Sequence, residues 1–375
     1  MPTANLYSKL QTDEDYKLLV LNGELLAALE GNSKLKFKAP GLEGSVVLCS
    51  NDKTWLLRQK NHSNTALIMR EFVSNELGEE KIKLPAGIEE PSVNHLAYTK
   101  QGSELEARLT IGDIDISMLP IYSGDNESFK KSLQQSNGIR WTVEELENIS
   151  PCSEQEFAVK WPILGGCNVE GIACILSQEF ISKVLHILLM SCMAESLNFE
   201  SLDVSKVFSA LNKDMGEGEE FNPFSLDVVR TVIGKFSRVN KQGKYALQVK
   251  AVSQWYGIEA LKKFASCALI PQEEFMIKWK ALFPPYFRCD LDFAALRGYF
   301  YRPLGTSIQY FSKDALPDDP RGRFAYLFKL QSTWDLNEMI PYIEQLNTTG
   351  VKIDNFVMKY ARRKKQGKLT LVSAR

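Results

Sequence analysis

The side chains best suited to ionic chemistry are concentrated at the C-terminal end of this 375-residue chain. Between Thr349 and Arg375 there are eight lysines or arginines and one acid, Asp354, so this segment carries a net charge of +7. The whole chain carries −1, and the remainder therefore carries −8. A cationic tip on an otherwise acidic protein indicates contact with the phosphates of DNA. The predicted DNA-binding residues are Lys352, Lys359, Arg362, Arg363, Lys364, Lys365, Lys368 and Arg375.

The elements that must position these cations are predicted to be three helices and a hairpin. Apolar residues recur at helical spacing over 324–330 and over 336–346, where Asp335 is the expected N-cap. A third helix has two faces. Its inner face carries Ile353, Phe356, Val357 and Tyr360, and its outer face carries Lys352, Asn355, Lys359, Arg362 and Arg363. A turn over 364–368 and a strand over 369–372 complete the plan of a winged helix, whose third helix enters the major groove. A solvated tail and a nuclear-import signal are alternative interpretations.

No other group of residues has the spacing of a catalytic or cofactor site. The chain lacks GxxxxGK[ST], GxGxxG and GxSxG motifs, and its three histidines (62, 95 and 186) lie far apart. The seven cysteines form no CxxC pair, which is typical of buried thiols in a reducing compartment. Asp113 with Asp115, and Asp290 with Asp292, are explained better by strand alternation or a helix N-terminus than by paired catalytic carboxylates. We therefore predict no enzymatic activity, no cofactor and no metal.

Residues 1–125 are predicted to form β-structure. The predicted strands are Tyr16–Leu21, Lys34–Lys38, Ser45–Cys49, Thr54–Gln59, Ala66–Phe72, Val93–Thr99, Glu104–Ile111 and Asp113–Ser117. The segment 60–64, which includes His62, has the composition of a turn. Because the strands are few and residues 66–69 are apolar on both faces, we predict an incomplete barrel that partner chains complete. The predicted partner-binding residues are Trp55, Leu57, Leu67, Met69 and Phe72. A small closed barrel is the alternative.

The rest of the chain predicts an α+β multidomain protein in which an array of tandem winged-helix domains follows this barrel-like domain. The sequence EQEFAVKWPIL (154–164) returns as QEEFMIKWKAL (272–282) after 118 residues, about twice the length of one winged-helix unit. The predicted boundaries are 1–125 for the β domain, 126–140 for a polar linker, and then 141–200, 201–268, 269–316 and 317–375 for the units. For all units but the last, we prefer a helical scaffold that does not read a DNA groove.

The chain resembles the sister chromatid cohesion Dcc family, in its budding-yeast form. The resemblance covers nearly the full length, and three blocks carry it: VVLCSNDKTWLLRQKNHSNTALIMREF (46–72), CILSQEFISKVLHILLMSCMAESL (174–197), and residues 323–368 from RFAYLFKL to MKYARRKKQGK. It implies a non-catalytic subunit of an alternative RFC-type clamp loader, which loads PCNA at replication forks and supports cohesion. It also implies nuclear localisation.

The same resemblance implies the partners. They are the small accessory subunit and the C-terminal tail of the large ATPase subunit, which share a triple barrel with the N-terminal domain, together with the catalytic subunit of DNA polymerase epsilon and DNA. By the same resemblance, Lys359, Arg362 and Arg375 occupy the DNA-contacting positions. No membrane association is expected, since the longest apolar run is too short to span a bilayer. The alternative function is a stand-alone winged-helix transcription regulator, and a third possibility is a purely structural scaffold.

Overall fold

The computed structural model describes residues 4–8, 16–40, 44–72, 93–135, 140–214, 222–347, 350–367 and 369–375. It forms two compact units, one of residues 1–121 with 127–175, and the other of residues 122–126 with 176–375. Within the described residues the fold is a mixture of α-helices and several small sheets, and no sheet closes into a barrel. No helix in those ranges is long and apolar enough to cross a membrane.

A six-stranded sheet dominates the first unit. Its strands are β1 (Ala4–Ser8), β2 (Leu18–Val20), β3 (Lys36–Lys38), β4 (Val47–Cys49), β5 (Thr54–Phe72) and β6 (Val93–Thr110), and helix α1 (Gly23–Glu30) follows β2. The order is β1-β6-β5-β4-β3, with β2 also paired to β6. The sheet is open, because its outer strands do not pair with each other. Both β1 and β2 run parallel to β6, whereas the other pairings are antiparallel.

The two central strands are longer than the sequence predicted. Residues 60–64 lie within β5, so the predicted turn there is wrong, and the imidazole of His62 contacts the Glu104 carboxylate at 2.9 Å. The two strands predicted at 54–59 and 66–72 are joined into the single strand β5. The two strands predicted at 93–99 and 104–111 are likewise joined into β6. Pairing of β5 with β6 on both sides of this segment, as far as Asn61 and again from Ala66, keeps the chain extended through its polar residues, and the register shifts between these two positions and again after Ile68.

Two further expectations fail in the segment that follows the sheet. Residues 113–117, predicted as a strand, have no regular secondary structure. The predicted polar linker 126–140 contains helix α2 (Asn126–Gln135), after the short strand β7 (Ile121–Tyr122). The helix forms because two apolar side chains one turn apart, Phe129 and Leu133, are buried, and that burial stabilises an otherwise polar segment.

The first unit continues with α3 (Val143–Ile149), α4 (Glu154–Leu164) and the hairpin β8 (Gly166–Val169) to β9 (Ile172–Leu176). Both helices begin with a capping box, in which the hydroxyl of Thr142 or Ser153 accepts from the backbone amide three residues on and the Glu145 or Glu156 carboxylate accepts from the backbone amide of the cap residue. Pro162 lies inside α4, which ends at a left-handed Gly165 rather than at the proline.

The carboxylate of Glu156 joins α4 to the sheet. It accepts hydrogen bonds from the Thr54 hydroxyl at 2.5 Å, the Gly112 amide at 3.0 Å and the Ser153 amide at 3.0 Å. A Cβ on Gly112 would lie only 2.2 Å from the Cβ of Cys152, so this approach requires glycine. Burial would raise the pKa of Glu156, but the hydrogen bonds from Thr54, Gly112 and Ser153 outweigh it and lower that pKa.

We predict that Glu156→Ala lowers the stability of the first unit by about 1–3 kcal/mol, because it leaves the buried Gly112 amide and Thr54 hydroxyl without their acceptor. Since the folded-state pKa is lowered, the contribution of Glu156 is full above its unfolded pKa and is lost as the pH falls through the folded value. Hydrogen exchange of the full chain, followed over residues 47–57 and 112–114 as the pH is lowered, measures both effects.

The matched control is Glu154→Ala on the same helix. Glu154 pairs with Lys36 at 2.8 Å in an exposed ion pair, and its loss should change protection less. Equal effects of the two variants, or a Glu156→Ala variant with the parent's pH dependence, would contradict this assignment.

The second unit is mainly helical. Its first part contains α5 (Gln178–Ala194), α6 (Val204–Asp214), α7 (Leu226–Phe236), the hairpin β10 (Ser237–Val239) to β11 (Tyr245–Leu247), α8 (Val249–Phe264), β12 (Ile270–Pro271), α9 (Gln272–Ala281), and the hairpin β13 (Phe300–Leu304) to β14 (Ser307–Tyr310). Short 3₁₀ helices occupy Phe293–Leu296, Lys313–Ala315 and Glu344–Leu346. The acidic segment 214–220 begins at the last residue of α6. The rest of it, residues 215–220, was predicted to be a loop and lies outside the described residues.

The last segment forms α10 (Pro320–Leu330), β15 (Thr333–Asp335), α11 (Leu336–Ile343), α12 (Ile353–Tyr360), β16 (Arg362–Gln366) and β17 (Leu369–Ser373). Its three strands form a sheet in the order β15-β17-β16. Asp335 is the N-cap of α11, as predicted, with its carboxylate accepting from the Asn337 amide at 3.0 Å. We call residues 320–375 the C-terminal module.

Candidate nucleic-acid interface

The C-terminal module is built on an apolar core that fixes the orientation of its basic face, and Leu316, Tyr301 and Phe311 from the preceding residues also pack there. Trp334, Tyr342, Phe356, Val357 and Val372 are all buried in one cluster. The buried polar atoms of the cluster are satisfied: the Trp334 indole donates to the Leu327 carbonyl at 2.9 Å, and the Tyr342 hydroxyl donates to the Phe300 carbonyl at 2.8 Å. Because the helices and the sheet both contribute side chains to this core, α12 and the hairpin β16–β17 are held in fixed positions.

Helix α12 divides its residues between the core and solvent. Phe356 and Val357 are buried, and Lys352, Asn355 and Lys359 are exposed, as the sequence predicted. Lys352 precedes the first turn and makes no capping hydrogen bond through its side chain. Its charge therefore adds to the positive end of the helix dipole, which favours an anion at this position, whereas Asp354 offsets part of that field.

Arg362 and Arg363 lie on a strand, so their predicted place on the third helix is wrong. The helix ends at Tyr360, and Ala361 has an extended backbone. Arginine has a good helix propensity, but the five residue pairs between β16 and β17 extend the chain from Arg362 onwards. The predicted turn over 364–368 is likewise too long, since β16 includes Lys364 and Lys365. Lys368 lies outside the described residues.

The strand places its cations on both faces of the hairpin. Arg363 pairs with the buried Val372, so it lies on the side of the sheet that faces the core but at its exposed margin. Arg362 and Lys364 alternate with it and point to the outer face. All four basic residues of β16 are exposed. Strand β16 follows α12 closely in the sequence, and every described cation on these two elements is exposed to solvent.

The eight predicted cations differ in their partners. The Arg363 guanidinium forms an ion pair with the Asp354 carboxylate, and that of Arg375 donates to the Met358 carbonyl. Within the part of the chain that the structure describes, no acidic side chain pairs with the other five that it places. We call Lys352, Lys359, Arg362, Lys364 and Lys365 the unpaired cluster. These residues can donate to phosphate oxygens without first losing an internal ion pair.

The predicted partner-binding residues of the first unit fall into two groups. Trp55 is fully buried and Leu57 is half-buried in the small core formed with Leu25 of α1, so these two support the sheet and offer little contact surface. By contrast, Leu67 and Met69 are exposed on the distal half of β5. Phe72 is the last residue of β5, and its side chain is not described. The sequence did not show that Trp55 is buried, because that depends on packing against Leu25 of α1, thirty residues earlier in the chain.

The buried thiols are poor nucleophiles. Burial raises the pKa of Cys192 to about 12 and that of Cys152 to about 11, so both remain protonated at neutral pH. Among the described residues, no group of three or more histidines, cysteines or carboxylates could hold a metal ion. The candidate site is therefore the group of exposed cations on the C-terminal module.

Comparison with known proteins gives a consistent answer. Residues 16–343 match the family model described as "Sister chromatid cohesion protein Dcc1". The chain is 44% identical over 379 residues to sister chromatid cohesion protein DCC1 of Saccharomyces cerevisiae, covering 99% of each chain. It is 24% identical over 370 residues to the protein of that name in Homo sapiens, covering 96% of this chain and 88% of the human one. A probable DCC1 from Dictyostelium discoideum is 20% identical over 385 residues.

Proposed function

The chain belongs to the sister chromatid cohesion protein Dcc1 family, and from this premise we propose that it is a non-catalytic subunit of an alternative RFC-type clamp loader. In this role it supports the loading of PCNA at replication forks and sister chromatid cohesion in the nucleus. Its N-terminal sheet joins the small accessory subunit and the C-terminal tail of the large ATPase subunit. The remainder, an array of winged helices, contacts the catalytic subunit of DNA polymerase epsilon and duplex DNA.

The observation that carries the proposal is the unpaired cluster. Its five side chains are exposed and free of internal ion pairs in the described residues, and an apolar core holds the elements that bear them. An otherwise acidic chain would repel a polyanion, so a fixed cationic face at one end directs binding to that end. Phosphate contacts of this kind position a protein on DNA without reading its sequence.

The open sheet supports the assembly role. Distal to Leu56, no described strand pairs with the outer edge of β5, which leaves a row of backbone groups for a strand from another chain. Exposed apolar side chains at this edge, Leu67 and Met69, are the contacts that such a strand would cover.

A transcription regulator that reads base edges would differ from the proposed subunit in one measurable property, the dependence of its affinity on DNA sequence. The exposed side of α12 offers Asn355, Met358 and lysine. An arginine or lysine that reads guanine would have to do so from the same positions that are proposed to contact phosphate. We predict uniform binding of the complex formed with the accessory subunit and the ATPase tail to random duplexes.

The test is selection from a random duplex pool, followed by affinity measurement on selected and unselected sequences. A specificity ratio near one supports the proposal, and a ratio of about 10³ or more is the behaviour of a sequence-specific regulator and would overturn it. The same complex should co-purify with the polymerase catalytic subunit. A complex that forms but fails to retain the polymerase would remove that part of the proposal.

A further inference from the structure

A four-residue sequence occurs at two hairpins of the second unit. Lys-Gln-Gly-Lys occupies 241–244, between β10 and β11, and recurs at 365–368, where Lys365 and Gln366 are the last residues of β16. Each hairpin directly follows a helix, α7 in the first case and α12 in the second. In both repeats the glycine has a positive φ, 73° at Gly243 and 62° at Gly367, a conformation that favours glycine. The glycine therefore serves a turn in both hairpins, directly after β16 in one and four residues after the end of β10 in the other.

The first of these hairpins has a well-defined tip. The Asn240 side-chain carbonyl accepts from the amides of Gln242 and Lys244, both at 3.0 Å, and the Asn240 amide donates to the Lys244 carbonyl at 2.7 Å. Asparagine closes the loop on itself in the manner of an Asx turn. The two lysines of the tip are thus presented by a loop whose backbone is already ordered, which reduces the entropy lost on binding.

The charge around this tip is of one sign. Residues 228–258 contain six lysines or arginines and no acid. Arg238, Lys241 and Lys244 are exposed, and no described carboxylate forms an ion pair with any of the three. We call these three residues the second basic tip. Outside this segment and the basic C-terminal segment the chain is acidic, so such an unneutralised group is a local source of positive potential.

Helix α7, which precedes this hairpin, cannot enter a DNA groove in the way that α12 is proposed to do. Six of the eleven residues of α7 are buried, and its exposed Arg230 is paired with Asp227 at 2.5 Å. Helix α7 therefore exposes few side chains that could contact bases in a DNA groove. Contact with a nucleic acid at this place would be limited to the hairpin, and hence to phosphates.

We propose that the second basic tip is a second, sequence-independent contact for the phosphate backbone of duplex DNA, separate from the C-terminal module. The proposal rests on the proposed function, since it assumes that the full chain binds duplex DNA. Nucleic acid is favoured over an acidic protein because the tip repeats the four residues of the hairpin that bears part of the unpaired cluster. Within the hairpin 237–247, Val239 is the one large apolar residue that is exposed, whereas protein interfaces have apolar centres.

The test is the salt dependence of duplex binding by the full chain carrying Lys241→Gln and Lys244→Gln. Each phosphate contact contributes about −0.9 to the slope of log K against log salt, so the slope of the double variant should be shallower by about 1.8. At about 100 mM salt, its affinity for a random-sequence duplex should be lower by roughly 10-fold or more. Lys241→Arg with Lys244→Arg retains the charge and should retain the parent's slope.

The matched control is Lys206→Gln with Lys280→Gln, two exposed lysines of the same unit that lie outside the hairpin. A double variant at 241 and 244 that keeps the parent's slope would overturn this inference while leaving the proposed function intact. A parent chain that does not bind duplex DNA would instead overturn the proposed function. If polyglutamate competes for the parent chain but no longer for the double variant at 241 and 244, and DNA binding is unchanged, the tip binds an acidic protein. That result would also reject the proposal.

Discussion

Glutamine at all five positions of the unpaired cluster is expected to lower the affinity of the full chain for duplex DNA by about 10³-fold at ~150 mM salt. Five phosphate contacts predict a slope of log K against log salt near −4.5 for these residues alone, and the variant should lose that part of the slope. The loss should be the same for every duplex sequence, because phosphates carry no sequence information directly. Fluorescence anisotropy with random duplexes, between about 50 and 200 mM salt, measures both quantities.

The internal ion pair of the C-terminal module gives a control of opposite sign. Asp354 holds Arg363, so Asp354→Asn should release that guanidinium and strengthen DNA binding several-fold. For the same reason, Arg363→Gln should weaken binding less than Lys364→Gln, its neighbour on the strand. All of these side chains are exposed, so each substitution should change the stability of the module by about 0.5 kcal/mol or less.

Three outcomes would contradict the assignment. The first is a five-position variant that binds as tightly as the parent at ~150 mM salt. The second is a loss of affinity that depends on the duplex sequence, which would indicate base readout by α12. The third is a variant whose melting temperature falls together with its affinity, because the effect would then belong to folding. The melting curve of each variant is therefore part of the measurement.

The sequence predicted the helices of this chain better than its strands, for a physical reason. Helix signals are local: Thr142, Ser153 and Asp335 each form the N-cap expected from the residues that follow within one turn. Strand boundaries depend on pairing with distant residues. Residues 60–64 have the composition of a turn but continue β5, because β6 supplies partners on one side of it as far as Asn61 and again from Ala66.

The basic segment shows the same limit within the candidate site. Its charge, its exposure and the inner face of α12 follow from sequence, since they depend on residue type and helical period. The division between helix and strand at Ala361 does not, because it is decided by pairing with β17. Nor could spacing show that Arg363 is paired with Asp354, nine residues away, which is the fact that removes Arg363 from the unpaired cluster.

The distal edge of β5 is expected to be the site at which a partner chain completes the sheet. Residues 66–72 pair with β6 on one side only, whereas β4 covers the other side no further than Leu56. Leu67 opposes Lys100, and Met69 opposes the buried Ala97 after a register shift that skips Tyr98 of β6. Two positions apart on β5, the exposed Leu67 and Met69 lie on one face of the strand, and the apolar Ile68 lies on the other. A strand that is apolar on both faces is typical of a position covered on both sides.

Lysine at Leu67 and Met69 should therefore abolish assembly with the small accessory subunit and the ATPase tail. Charged side chains at an edge prevent another strand from pairing there, because they would have to be desolvated in the joint core. Co-expression and affinity purification of the three chains should recover the double variant alone, with the affinity for its partners lowered by about 100-fold or more, the cost of burying two unpaired charges.

The control for this result is Ile277→Lys, which places a lysine at a position that is 72% exposed in the second unit. It should leave the assembly unchanged. The double variant should also retain the parent's affinity for duplex DNA, because the two substituted positions lie in the first unit, outside the apolar core that supports the C-terminal module. Recovery of the intact complex with Leu67→Lys and Met69→Lys would place the interface on another edge of the sheet, β1 or β3, and would remove the argument from the unpaired half of β5. Loss of DNA binding together with assembly would instead indicate that the substitutions had unfolded the chain.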